Sequence, residues 1–307
     1  MIRKHTRRAV KAAFCLAFGV AIVLGGLTAG ALSAPAAQPV IKLGYKNFTE
    51  EYVLGELYGQ ALKAKGFKVE DKGSLGSSEL ADTALTSGKI NMYPEYTGVI
   101  VLDLAHKTAP TSADATFKAA KTFEESRGFT VLNKTPFFDT DSISVLKSTA
   151  RKYGLKSIGD IKTKFKGTFH YAGYPECSVR ITCGLGMKKV YGIKNISFIT
   201  IGQIPVPTLL DDHKADGGDI FSTDPSLASG KYTVLADTKH IFGFQNVVPV
   251  VSKKLVQQLG PKFSQTVNAV SAKLTVQAMI AMNKAVAIDK KLPSAVASAF
   301  LKANGLK

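Results

Sequence analysis

Histidine and cysteine are scarce, five and three in 307 residues, and acidic side chains number 23 against 40 basic ones. The five histidines are scattered, and none sits at metal-ligand spacing from the cysteines, which argues against a zinc centre. No Gly-x-Ser-x-Gly elbow, His-Glu-x-x-His helix or convincing acid pair is present. Ser77, Ser178 and Ser222 have no assignable histidine base, so the chain reads as a non-enzyme that needs no cofactor. Arginine-rich runs are missing as well; the lysines are spread singly, as on a solvated face, and a nucleic-acid partner is not expected.

What is present begins with an export signal. Arg3, Lys4, Arg7, Arg8 and Lys11 form a basic region without an acidic residue, followed by a small, apolar run from Ala12 to about Leu32. Small residues around Ala34 to Ala37 offer the cleavage site, which predicts a periplasmic protein with residues 1–37 as signal peptide. An uncleaved anchor stays open because the run approaches spanning length, as does the choice between general and twin-arginine export. Cys15 lies inside the apolar run and not at its end, which disfavours a lipidated cysteine. Removing the five basic residues named above lowers the formal charge from +17 to +12, still strongly basic. Only Cys177 and Cys183 then remain, an even pair in an oxidising compartment, and a disulfide is expected to close a small ring with Arg180 at its middle.

Apolar periodicity alternates between strand and helix. Val40 to Gly44, Phe67 to Glu70 and Ile90 to Tyr93 read as strands, with helices over Glu51 to Lys65 and from Ser77 to Ser87, where a serine serves as N-cap. This order implies a mostly parallel sheet with a crevice at the strands' carboxyl ends, and it makes Lys46, Ser77 and Tyr96 neighbours there. Tyr93-Pro94-Glu95-Tyr96-Thr97-Gly98 reads as a proline-stiffened turn on the wall of that crevice, with Tyr96 as the contact and Tyr93 structural. A helix over Ala115 to Arg127 and a second series of short elements from Ser142 to Ala236 follow, then a strand at Val247 to Val251 and a helical remainder. Two α/β lobes with two crossovers fit this better than one sheet. The expected division is 38–140 for the first part of lobe 1, 141–245 for lobe 2 and 246–307 for the return to lobe 1.

Lys46-Asn47-Phe48-Thr49-Glu50, Tyr93 to Gly98, Pro175-Glu176 to Arg180, Ser222-Thr223-Asp224 and Asn246 to Val251 occur in an order that resembles the osmoprotectant-type substrate-binding proteins of ABC importers, the glycine betaine, choline and carnitine binders. The resemblance implies a two-lobed, Venus-flytrap periplasmic binding fold (type II) that closes on a small-molecule solute as a monomer and delivers it to a membrane permease with its ATPase. It also implies ligand-binding roles for Lys46, Asn47, Ser77, Tyr96, Arg180, Phe221, Thr223 and Asp224. Lys46 and Arg180 would neutralise a carboxylate, and Tyr96 would offer a face to an alkylated ammonium.

Departures from the family pattern fall on Val99, where a threonine is usual, and on Asp141 and Gln245, where tyrosines are usual. Both polar residues can hydrogen-bond, whereas a trimethylammonium offers no N–H. The ligand expected is therefore a zwitterionic or cationic quaternary-amine-like solute, including amino-acid-derived betaines such as ergothioneine. A rebuilt pocket for a basic amino acid is an alternative, as is a ligand sensor feeding a signalling receptor.

Overall fold

A computed structural model describes residues 38–202 and 204–307; the export signal and Cys15 lie outside the described residues. Two five-stranded sheets organise the chain. The first is opened by β1 (Ile41–Tyr45), α1 (Thr49–Ala64), β2 (Val69–Ser74), α2 (Ser78–Thr86) and β3 (Met92–Tyr96). Helix α3 (Thr97–Val99) runs on as a π-helical turn over Ile100–Leu104, followed by α4 (Ala113–Ser126) and β4 (Phe129–Val131). The second sheet collects β5 (Ile143–Leu146), α5 (Lys147–Tyr153), α6 (Ile158–Lys164), β6 (Phe169–Gly173), α7 (Gly184–Lys189), β7 (Ile196–Thr200), α8 (Val206–Asp211), β8 (Gly217–Asp219) and β9 (Tyr232–Val234). The chain then returns to the first sheet with β10 (Val247–Ser252) and covers it with α9 (Lys253–Leu259), α10 (Pro261–Lys273), α11 (Val276–Ala287) and α12 (Pro293–Ala303). Strand orders are β2-β1-β3-β10-β4 and β7-β6-β8-β5-β9.

Each sheet is mixed rather than mostly parallel, because the strands that re-enter or leave a lobe run against their neighbours. β1 is parallel to β2 and β3, while β10 is antiparallel to β3 and β4. Period-2 alternation sends Met92, Tyr96, Val247 and Val251 to the face packed by α1, α10, α11 and α12. Tyr93, Val248 and Val250 go to the face covered by α2, α4 and the π-helical turn.

The Tyr93-to-Gly98 stretch is not a turn. Met92 to Tyr96 is a fully buried strand, and the helix begins at Thr97. Pro94 is tolerated in this interior strand because it lies opposite Pro249 in β10, while pairing with β1 reaches only Met92. No ladder bond is asked of its missing N–H. Tyr93 is wholly buried, which makes it a core residue.

Two crossover segments run side by side between the lobes, with Phe138 bridged to Asn246. The Asn246 side chain donates to the carbonyls of Thr135 and Phe137, and the Asp139 N–H donates to the carbonyl of Gln245. Beside this hinge, Gly98 has a close-approach role: a Cβ placed there would sit 2.6 Å from the Gln245 amide. Gln245 uses that space to accept from the Val99 N–H at 3.0 Å and to donate to the Phe242 carbonyl at 2.9 Å. Gly98→Ala is expected to lower stability by about 1–3 kcal/mol through overpacking. In a double-mutant cycle by chemical denaturation, Gln245→Ala should make the same change nearly neutral; additive costs would contradict the contact.

Candidate functional site

The two sheets face each other across a cleft of about 600 Å³, mouth included. Its floor is built by the end of β1. Lys46 follows the strand directly, and burial leaves it 3 % exposed. Its ammonium is paired with Glu95 from β3 and lies 3.5 Å from Glu51 in the first turn of α1. It also sits 4.1 Å from the centroid of the Tyr96 ring, while Phe48 stacks near that ring at 6.3 Å. The Tyr96 hydroxyl donates to Glu50 at 2.9 Å. Lys46 and the Tyr96 ring thus satisfy each other and the buried acids of their own lobe. Glu95 and Glu51 thus hold the ammonium that the sequence reading gave to a ligand carboxylate.

Arg180 lies within the ring closed by the Cys177–Cys183 disulfide, whose Cα atoms are 5.1 Å apart. Its Nε and one terminal nitrogen donate to the two oxygens of Glu79 at 2.9 and 3.0 Å, so its fork reaches across the cleft to α2. Ser77 occupies the N-cap position of α2, yet its hydroxyl caps no amide; it donates to the same Glu79 carboxylate at 2.6 Å, the stronger acceptor. Asn47 lines the cleft and donates its backbone N–H to the Gly76 carbonyl. Gln245 borders the cleft too, and the hinge backbone takes one bond at each end of its amide, leaving one N–H and one lone pair.

On the opposite wall, Phe221 is the centre of an aromatic row, 5.1 Å from Phe48 and 6.1 Å from Tyr174 between ring centroids. Asp139, Asp141, Glu176 and Asp219 line the same cleft. Burial and mutual repulsion push the carboxyls of Asp139, Asp141 and Asp219 above the ordinary range. Asp141 and Asp219 lie close enough for each to influence the other's carboxyl. Asp219 is 5 % exposed and keeps one buried oxygen without a partner.

Thr223 and Asp224 lie apart from this cleft. They line a second, adjoining cavity behind Phe48, Tyr174 and Phe221. The Thr223 hydroxyl donates to Glu50 of the first lobe at 2.6 Å and its N–H to Asp139 at 3.0 Å. Asp224 caps the short turn over Pro225–Ser229 by accepting from the Ser226 N–H. Asn283 of α11 donates to Glu50 at 3.1 Å, completing a polar join between the lobes.

Sequence reading passed over Phe48, Tyr174, Glu79, Asp139, Glu176 and Asp219. Phe48 and Glu176 stood inside the quoted motifs and Tyr174 directly before one, so position offered a signal for these three. Asp139 closes the short run Phe137-Phe138 and Asp219 precedes Ile220-Phe221, and neither position gives the side chain a direction. Nothing about Glu79 distinguished it from a helix-first-turn acid.

The model of the substrate-binding domain of ABC-type glycine betaine transport systems matches residues 39–303, and the chain belongs to that family. It is 30 % identical over 292 residues to the glycine-betaine-binding protein of Pseudomonas aeruginosa, covering 91 % of this chain and 92 % of that one. It is 24 % identical over 266 residues to the ergothioneine transport permease/ergothioneine binding protein of Helicobacter pylori, covering 85 % of this chain and 47 % of that one. Among solved structures it resembles a glycine betaine/carnitine/choline ABC transporter structure with a TM-score of 0.69 at 23 % identity, over 87 % of this chain and 99 % of that one, a likeness of fold.

A pH signature follows from the acids near Arg180. Asp103, on the π-helical turn, accepts from the Thr182 hydroxyl at 2.9 Å across the lobes, and burial pushes its carboxyl up to about 7 despite the Arg180 charge. The native state alone holds this proton once pH exceeds the ordinary value of 3.8. Its contribution to stability is therefore full below that value and declines as pH rises toward about 7. Thermal unfolding of Asp103→Asn between about pH 4.5 and 7.5 should show a shallower decline with pH than the parent chain. An unchanged slope would place the proton elsewhere.

Proposed function

On the premise of that membership, we propose that this chain captures a small solute bearing an amine-derived cation, of the quaternary-amine class, between its lobes and hands it to an ABC permease powered by an ATPase. The observation that carries the reading is the cleft itself. Phe48 from one lobe meets Phe221 and Tyr174 from the other, and the acidic side chains of Asp139, Asp141 and Asp219, none with a basic partner at ion-pair distance among the described residues, line the same space. Aromatic faces attract a cation through the ring quadrupole, and a bound cation would favour the ionised form of the buried acids beside it.

Choline, glycine betaine, carnitine and ergothioneine are the ligands to try first, since glycine betaine and ergothioneine appear in the names of relatives. Asp141 and Asp219 favour an N–H or O–H on the ligand, and this keeps a basic amino acid as the second reading. The chain acts as a monomer in the periplasm after cleavage near Ala34 to Ala37, with its lobes at 38–140 plus 246–307 and at 141–245. It performs no chemistry on its solute. Ligand closes the lobes only through contacts that the closed state alone supplies; Phe48 with Phe221 and Glu50 with Thr223 are contacts of this kind.

Thermal shift across these four solutes plus lysine and arginine, followed by isothermal titration of the hits, tests the reading. A quaternary amine should raise the melting temperature, and Phe221→Ala should weaken its binding by about 1–2 kcal/mol, roughly 5–30-fold. Unaltered affinity in Phe221→Ala would remove the aromatic row from the site. A stronger response to lysine or arginine than to any quaternary amine would favour the second reading.

A further inference from the structure

Charge accounting in the cleft points to a residue that chooses among amines. Two basic side chains line the cleft, Lys46 and Arg180, and both are paired with the protein's own acids. Lys46 is locked between Glu51 and Glu95. Arg180 gives its paired fork to Glu79, with N–O distances of 2.9 and 3.0 Å. Four carboxylates line the space, and among the described residues none of Asp139, Asp141, Glu176 and Asp219 has a basic partner at ion-pair distance.

The Glu79–Arg180 pair has the geometry that a bound carboxylate would take on a guanidinium. Glu79 comes from α2 in one lobe and Arg180 from the disulfide ring in the other, so the pair forms across the mouth of the cleft, and Ser77 adds a third donor to the same carboxylate. Burial alone would raise the Glu79 carboxyl, but the Arg180 fork overrides it and holds the group down at about 2, so Glu79 is ionised and engaged throughout the neutral range.

We propose that Glu79 is a specificity-determining residue: it occupies on Arg180 the position that a ligand carboxylate needs, and so tunes the cleft for monocationic amines over zwitterionic ones. A zwitterion must either displace Glu79 from Arg180 or place its carboxylate beside Glu79 on the guanidinium donors left over, among acidic side chains. A cationic alcohol such as choline meets neither cost. Specificity of this kind is a difference between two affinities and arises as much from what is penalised as from what is attracted. The inference rests on the proposed binding of amine solutes in this cleft.

Isothermal titration of the mature protein with choline and with glycine betaine, in the parent chain and in Glu79→Gln, tests it. The parent should prefer choline, and Glu79→Gln, which leaves Arg180 its charge without a competing anion, should move the choline-to-betaine affinity ratio toward betaine by about tenfold or more. Glu79→Ala, which also removes the occupant's bulk, should shift the ratio in the same direction. A pair that merely latches the lobes would change both affinities by one factor, and an unaltered ratio overturns the inference while leaving amine binding intact. A parent chain that already prefers glycine betaine overturns it too. Binding of neither solute in any variant overturns the amine reading and this inference together.

Discussion

The buried ammonium of Lys46 is the constraint around which the cleft is arranged. It closes β1, touches the first turn of α1 through Glu51 and the end of β3 through Glu95, and supports the Tyr96 ring from 4.1 Å. A charge removed from water is costly unless its partners are close and themselves held. Here the Lys46 N–H accepts a second restraint by donating to Glu51 at 3.1 Å, and the Tyr96 N–H donates to Glu95 at 2.8 Å. Taking the ammonium away would leave two carboxylates buried without compensation, and burial already pushes Glu51 up to about 8. The floor of the cleft is therefore fixed structure, and under the proposed function recognition passes to the groups above it: Phe221, Tyr174, Asp141 and Asp219.

That division of labour repeats across the molecule. Beside the Phe48–Phe221 ring contact, polar joins link the lobes at Glu50 with Thr223, Glu79 with Arg180 and Asp103 with Thr182. Each places a carboxylate of the first lobe against a donor of the second. Such contacts are directional and exchange readily with water when the cleft opens, unlike the apolar packing inside each lobe. The crossovers contribute the opposite property. Asn246 and Gln245 bind the two crossover segments to each other and to α3 through buried side-chain-to-backbone bonds.

Much of this was legible in the chain. Alternating and helical periodicities placed most strands and the helices α1, α2 and α4 within a few residues, with the C-terminal helices read only as a helical remainder, and two cysteines in an exported chain predicted the bridge that closes Cys177 to Cys183. The reading of Tyr93 to Gly98 as a turn failed because a proline was weighed alone; Pro94 is accepted in a strand when its neighbour is Pro249, 155 positions later, and local propensity carries no knowledge of such a pairing. Side-chain roles failed for a related reason. Sequence order brought Lys46, Arg180 and Gln245 to the cleft, but which acceptor each would choose depended on Glu95, Glu79 and the Val99 N–H, which only the folded chain sets beside them. Asp139 and Asp219 were hidden because an acid at a strand end reads the same whether it faces solvent or a ligand.

The central claim is that an amine-derived cation sits against the aromatic row and the second-lobe carboxylates. A crystal structure of the mature protein grown with choline tests it most directly. The account predicts the ammonium within about 6 Å of the Phe221 ring centroid, in the space lined by Asp141 and Asp219, with Lys46 still held by Glu51 and Glu95. Choline bound outside the cleft, or an ammonium placed away from Phe221 and those carboxylates, would contradict it.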